Sequence, residues 1–189
     1  SSASSVKKTA AFFDFDKTIV AKDSAGIEFE YYIKETWEQG DYWRWCKLMF
    51  FWIVIIQLYN HVPFLIDGIA INKWYIWCCY KGRSIQELEN VSYQLYRQQL
   101  KFLIYPTIIQ TIQDHSVQQK HDVYVISASP THMLQPFVTD PQYEPYITNV
   151  ATTHLEVDDN DICTGRCQNG VVCIGGEKQR IVQEEWATQ

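Results

Sequence analysis

The sequence predicts an α/β layer fold built on a parallel sheet. Two short apolar runs carry that expectation, Thr9-Ala-Ala-Phe-Phe and Asp122-Val-Tyr-Val-Ile, each stopping at polar residues as a buried strand does where it meets a functional loop. The third observation is helical periodicity in the stretches between and after them. Strands alternating with helices pack as parallel layers.

The elements follow in order. The first strand is expected to be buried and to end at Asp14-Phe-Asp-Lys-Thr-Ile-Val. From Asp23 to about Tyr105 apolar residues recur every three or four positions, with Pro63, Gly68 and the Lys81-Gly82-Arg83 turn as punctuation. Ser84 and Glu87 form an S-x-x-E capping box before a helix expected to reach about Leu103. A helix over Thr107–Gln119 precedes the second strand, which ends at Ser127-Ala-Ser-Pro-Thr, and another runs to about Val138. Ile147 to Cys173 reads as short strands, with Asp158-Asp-Asn-Asp and Gln168-Asn-Gly as turns. Gly175-Gly-Glu-Lys opens a last helix, Lys178 to Ala187.

Composition bounds the function. At ~150 residues per domain, 189 residues make one domain, or one with a sizeable insertion. Apolar residues, at 47%, are too many for a disordered chain. A net charge of −6 argues against nucleic acid as a partner. No signal-peptide pattern is present and the longest apolar run, Leu48–Ile56, is far short of the ~20 residues a spanning helix needs. A cytoplasmic location with reduced thiols is therefore expected. Cys163, Cys167 and Cys173 have C-x3-C-x5-C spacing, which fits small buried hydrophobes better than zinc.

Chemistry is expected beyond the carboxyl ends of parallel strands. Asp14, Asp16 and Thr18 follow the first strand, Ser127 ends the second, and Lys178 opens the last helix. Two carboxylates at i and i+2 repel unless a cation lies between them, and a hard divalent ion such as Mg²⁺ removes that penalty. One carboxylate can attack phosphorus while the other moves protons. A hydroxyl and an ammonium can hold the phosphoryl oxygens. Taken singly, a D-x-D pair, a serine after a strand and a lysine at a helix start are commonplace. Their conjunction points to phosphoryl transfer.

On these residues the chain resembles the haloacid dehalogenase-like (HAD) hydrolases, and within them the phosphoserine-phosphatase-like branch, subfamily IB. The resemblance rests on Phe12-Phe-Asp-Phe-Asp-Lys-Thr-Ile, Val125-Ile-Ser-Ala-Ser-Pro and Gly176-Glu-Lys as first, second and third motifs. It implies a Rossmann-like core at residues 9–24 and 106–189, with a helical cap at 25–105 inserted after the first strand. It implies a Mg²⁺-dependent phosphomonoesterase with Asp14 as nucleophile and Asp16 as acid/base. Thr18 would order the loop, Ser127 would bind the phosphoryl group and Lys178 would steady the aspartyl-phosphate. Mg²⁺ would be held by the Asp14 carboxylate and the Asp16 carbonyl. Asp23 matches the place of an acidic residue that contacts the substrate amine in phosphoserine phosphatases, and reads equally as a helix N-cap. Arg83 is a second substrate candidate, with a solvated turn residue as the plainer alternative.

Family members carry a fourth motif after the third, typically G-D-S-x-x-D, whose acids complete the metal site and whose strand lies beside the first. The eleven residues from Gln179 to Gln189 lack it. The expectation is a longer parent chain, or another segment covering the first strand's edge. A fold remnant that binds lipid or protein is the competing reading. Between Tyr42 and Arg83 stand five cations (Arg44, Lys47, Lys73, Lys81 and Arg83) against Asp67 alone, with five of the seven Trp. That mixture suits a lipid phosphate substrate or a peripheral contact at the inner membrane surface. The plainer reading is a cap whose aromatics form its own core.

Overall fold

The computed structural model describes residues 9–61 and 67–186. Three parallel strands, β1 (Ala10–Asp14), β2 (Asp122–Pro130) and β3 (Asn149–Thr153), form a sheet in the order β1-β2-β3. The register sets Phe13 beside Val125 and Asp14 beside Ile126, so the strand ends that carry Asp14 and Ser127 fall together. β2 is the central strand. Pairing on both sides explains why Val123 and Val125 are fully buried.

β1 departs from the buried strand expected. It pairs with β2 on one side, and among the described strands it is the edge of the sheet. Ala10, Phe12 and Asp14 are exposed, and Phe12 stacks on the Tyr124 ring, 5.2 Å between centroids. Beyond β1 the chain hooks back on itself. The Phe15 carbonyl accepts from the amides of Ile19 (2.9 Å) and Val20 (3.0 Å), and Lys17 takes a left-handed conformation at φ 59°. Phe15, Ile19 and Val20 are fully buried and anchor this loop from below.

Helices fill the chain between the loop and β2. They are α1 (Ser24–Glu38), α2 (Tyr42–Phe50), α3 (Gln57–His61), α4 (Gly68–Tyr80), α5 (Ile85–Gln98) and α6 (Pro106–Gln113). A wider π-type turn, Phe51–Ile56, joins α2 to α3. The capping box holds in half: the Ser84 hydroxyl accepts from the Glu87 amide (3.1 Å), while the Glu87 carboxylate turns to Arg83. α5 stops at Gln98 and the chain continues as a 3₁₀ turn, Leu100–Leu103. Backbone bonds from Ala21 to Leu103 (2.8 Å) and from Tyr105 to Ile19 (2.9 Å) then return the chain to the loop after β1. The segment from 25 to 105 thus leaves and re-enters at one place.

α7 (Thr131–Val138) follows β2, and β4 (Leu155–Val157) pairs antiparallel with β5 (Cys163–Cys167). The Asp158 carboxylate accepts from the amides of Asn160 and Ile162 and closes that hairpin, the role its turn signal predicts. Asn169-Gly170 instead bends the chain after β5, with Asn169 at φ 54°. The last helix starts earlier than expected, as α8 (Gly176–Arg180), and widens into a π-type turn over Ile181–Trp186. Cys163, Cys167 and Cys173 are all buried, as expected of small hydrophobes, and burial pushes the Cys163 thiol up to about 11. No helix among the described residues is long and apolar enough to cross a membrane.

Candidate active site

The end of β1, the hook after it, the end of β2 and α8 bring polar groups to a shared cavity of about 440 Å³. β1 ends at Asp14, whose Oδ1 accepts from the Phe15 amide (2.8 Å). Two residues on, around the hook, Asp16 is held from three directions. Its Oδ1 accepts from the Ser24 amide (2.7 Å), and its Oδ2 accepts from the hydroxyls of Ser129 (2.7 Å) and Ser127 (3.3 Å). The Ser24 and Ser129 hydroxyls lie 3.1 Å apart, so the start of α1 and the end of β2 are tied through Asp16.

Lys178 comes from α8, behind the sheet ends. Its Nζ lies 2.9 Å from Asp14 Oδ2 and donates to the Ile126 carbonyl (3.4 Å). Ile126 is the register partner of Asp14, which is why one ammonium reaches both. A lysine pointed at a carboxylate that itself faces open space neutralises a charge a phosphate would otherwise have to approach.

Asp14, Asp16, Asp23 and Lys178 border the cavity. Asp23 sits at the N-cap position of α1, yet its side chain makes no capping bond there and instead lies 3.5 Å from Lys17 Nζ. Ser127 is fully buried behind the cavity wall, where its hydroxyl also accepts from the Ser129 amide (3.1 Å). Thr18 belongs to the hook, its amide donating to the Phe15 carbonyl at 3.4 Å, and does not line the cavity.

Arg83 does not reach this space. Its side chain is buried at 3% exposure, ion-paired to Glu35 and Glu87 and stacked over the Tyr32 ring at 4.3 Å. The expectation that it contacts substrate is corrected accordingly: two carboxylates from α1 and α5 hold it as a strut between helices.

Three features of the site were not read from the sequence. Ser129 is one, although two serines at i and i+2 beyond a strand are a legible signal for a shared face. The second is the far wall of the cavity, where α4 supplies Ile71, Asn72, Tyr75 and Ile76. The third lies behind Tyr75. Glu28, fully buried, accepts from the hydroxyls of Tyr32 (3.0 Å), Tyr75 (2.9 Å) and Tyr80, and meets His132 Nε2 at 3.3 Å. Burial alone would raise the Glu28 carboxyl, but the hydrogen bond and charge of His132, with the tyrosine hydroxyls, hold it below the usual carboxylate range. This network joins α1 and α4 to α7, hence the helical segment to the sheet.

The donor set at Asp14 suits a hard cation. Among the described residues no three His, Cys, Asp or Glu side chains converge on one point. Both Asp16 oxygens are taken up by N–H and O–H donors of the fold. The Asp14 carboxylate also has partners, the Phe15 amide and Lys178, but stays half exposed at the cavity with lone pairs open beside backbone carbonyls. Mg²⁺ commonly takes only one or two protein carboxylates and fills its shell with water and phosphate oxygens, so these residues fit it.

A parallel α/β sheet with an acidic pair at the end of its first strand, a serine pair among the last residues of its second and a lysine from a late helix defines a hydrolase-type site. The model of the haloacid dehalogenase-like hydrolases matches residues 11–189, and the chain belongs to that family. No curated protein matches the chain. Among solved structures, a protein of unknown function from Bordetella pertussis Tohama I aligns with a TM-score of 0.74 at 16% identity, over 96% of this chain and 75% of that one. A HAD family hydrolase from Salmonella enterica subsp. enterica serovar Typhi aligns at 0.64 and 16% identity, over 98% of this chain and 54% of its own. A substrate-bound phosphoserine phosphatase aligns at 0.57 and 15% identity, over 95% and 72%. These likenesses concern the fold, and the chain spans between about half and three quarters of those three proteins.

Proposed function

We propose that the chain is a phosphomonoesterase working through an aspartyl-phosphate on Asp14, with residues 9–24 and 106–189 as its core and 25–105 as a cap. The observation that carries this reading is the Lys178 ammonium set 2.9 Å from the Asp14 carboxylate at a cavity that Asp16 and Ser129 also border. Asp14 Oδ attacks phosphorus as the ester P–O bond breaks, and a protonated Asp16 gives its proton to the departing alkoxide. The Asp16 carboxylate then takes a proton from water. That water attacks phosphorus, the bond to Asp14 breaks, and inorganic phosphate leaves. Ser24 and Ser129 hold the Asp16 carboxyl in place through both half-reactions. Ser127, from behind the cavity wall, supports the Asp16 carboxyl and the Ser129 amide that frame the phosphoryl group. Thr18 keeps the hook ordered. Lys178 offsets negative charge on the transferred group.

Mg²⁺, held by the Asp14 carboxylate and the Asp16 carbonyl, would supply charge neutralisation for the incoming phosphate. The organic part of the substrate faces Ala25, Ile71, Tyr75, Ile76 and Ile174, with the Asn72 amide as a polar contact. A small or amphipathic phosphate monoester fits that wall, with Asp23 near its entrance.

The test is turnover of an aryl phosphate with and without Mg²⁺, together with mass spectrometry of acid-quenched enzyme. A phosphate-sized mass increase on the peptide containing Asp14, absent in Asp14→Asn, is expected. Near-native turnover by Asp14→Asn would overturn the assignment.

A further inference from the structure

A surface helix normally turns apolar residues inward and polar ones to water. The run from α2 through the π-type turn does not. Its inner stripe, Leu48, Phe51 and Ile55, is buried, yet its outer stripe is also apolar: Trp43 is 85% exposed, Phe50 60% and Ile53 57%. α4 behaves alike. It turns Ile71, Tyr75 and Ile76 to the cavity and leaves Trp74 and Trp77 nearly half exposed on its other side. The two faces are continuous, because Phe50, Trp74 and Trp77 line one open groove of about 210 Å³ with Lys47 at its edge. The aromatics of this region therefore form a surface and not only a core.

The polar groups around that surface are cationic. Lys47 Nζ lies 4.7 Å from the centre of the Trp77 ring and Lys81 Nζ 5.8 Å from it. The exposed Lys73 adjoins Trp74 on α4. The four cations Arg44, Lys47, Lys73 and Lys81 outnumber two nearby carboxylates, both at helix starts: Asp41 accepts from the Arg44 amide (3.0 Å) and Asp67 from the Ala70 amide (2.6 Å). The result is a cationic, aromatic face on a chain of net charge −6.

Amphipathic indole and phenyl rings favour the headgroup boundary of a bilayer, and lysines beside them meet its negative potential. A second copy meeting it through the same face fits poorly, because like-charged lysines would oppose one another. We propose that the outer faces of α2, the following turn and α4 dock on bilayers that carry anionic lipid. This inference stands apart from the phosphatase reading.

The experiment is flotation of the full chain with vesicles of phosphatidylcholine alone and of phosphatidylcholine mixed with phosphatidylglycerol, at low and high salt. Binding should rise roughly tenfold or more with the anionic lipid, fall with salt, and shift tryptophan emission to the blue. The double substitution Trp43→Ser, Phe50→Ser should lose roughly tenfold or more of that binding, with an unchanged circular dichroism spectrum, since both side chains already face water. Lys73→Glu with Lys81→Glu should weaken it too, while Asp14→Asn should float as wild type does. No binding to anionic vesicles, equal binding to neutral ones, or binding indifferent to the Trp43 and Phe50 substitutions would overturn the proposal. So would a concentration-dependent dimer, abolished by those substitutions, in a chain that does not float.

Discussion

Lys178 and Asp14 lie 164 residues apart in sequence and 2.9 Å apart in space, at the same end of the sheet. A parallel register explains the meeting. It stacks the strand ends on one side, and the chain that returns after β5 then passes behind the carbonyl of Ile126, the neighbour of Asp14.

Lys178→Met should leave the fold intact, since the side chain is on the cavity rim, and should lower kcat by about a hundredfold or more, comparable to losing one donor aimed at developing charge. Asp14→Asn should abolish turnover altogether. Steady-state kinetics on an aryl phosphate check both. A Lys178→Met variant with wild-type kcat would separate this ion pair from catalysis.

Ser129→Ala removes the shorter of the two hydroxyl bonds to Asp16. With one charge-assisted hydrogen bond worth about 1.5–3 kcal/mol, kcat should fall by about tenfold to a hundredfold, with little change in KM. Ser129→Thr, which keeps the hydroxyl, should recover part of the rate.

Glu28 makes stability depend on acid. Its folded-state carboxyl is held below its ordinary value of 4.5, so its contribution is complete above that value and is lost as pH falls through the lower, folded one. Thermal unfolding of the wild type should therefore weaken steeply below pH 4.5, and that of Glu28→Gln should change less over the same range. Glu28→Ala, which strands His132 and three tyrosine hydroxyls in the interior, should cost about 3–5 kcal/mol.

Arg83→Met should destabilise by about 3 kcal/mol or more, because Glu35 loses its buried counter-charge. Arg83→Lys should not rescue it, since a single ammonium cannot serve two carboxylates from different helices as a planar guanidinium does. In both variants KM for a phosphate substrate should stay as in the wild type. A selective rise in KM without loss of stability would return Arg83 to the binding site.

The residues of the proposed site were legible because they sit at the ends of recognisable elements. Asp14 and Asp16 stop an apolar run, Ser127 stops another, and Lys178 follows a Gly-Gly helix start. Arg83 misled because a Lys-Gly-Arg turn reads as solvated, while its partners, Glu35 and Glu87, lie on two different helices that only packing brings together. Trp43 and Phe50 show the reverse difficulty. Composition places aromatics in this segment, but helical spacing allows either an inner or an outer stripe, and only the neighbouring helices decide which stripe is buried.

From its amino acids alone this chain specifies strands, helices, turn sites and the residue types that can do phosphoryl chemistry, because these depend on local periodicity and backbone preference. Tertiary structure decided the rest. It left β1 an edge among the described strands, set Ser129 rather than Ser127 on the cavity wall, buried Arg83 between two carboxylates, and closed the Glu28 network around His132. Those outcomes depend on contacts between residues far apart in the chain, and local sequence carries no record of which distant group will satisfy a buried charge.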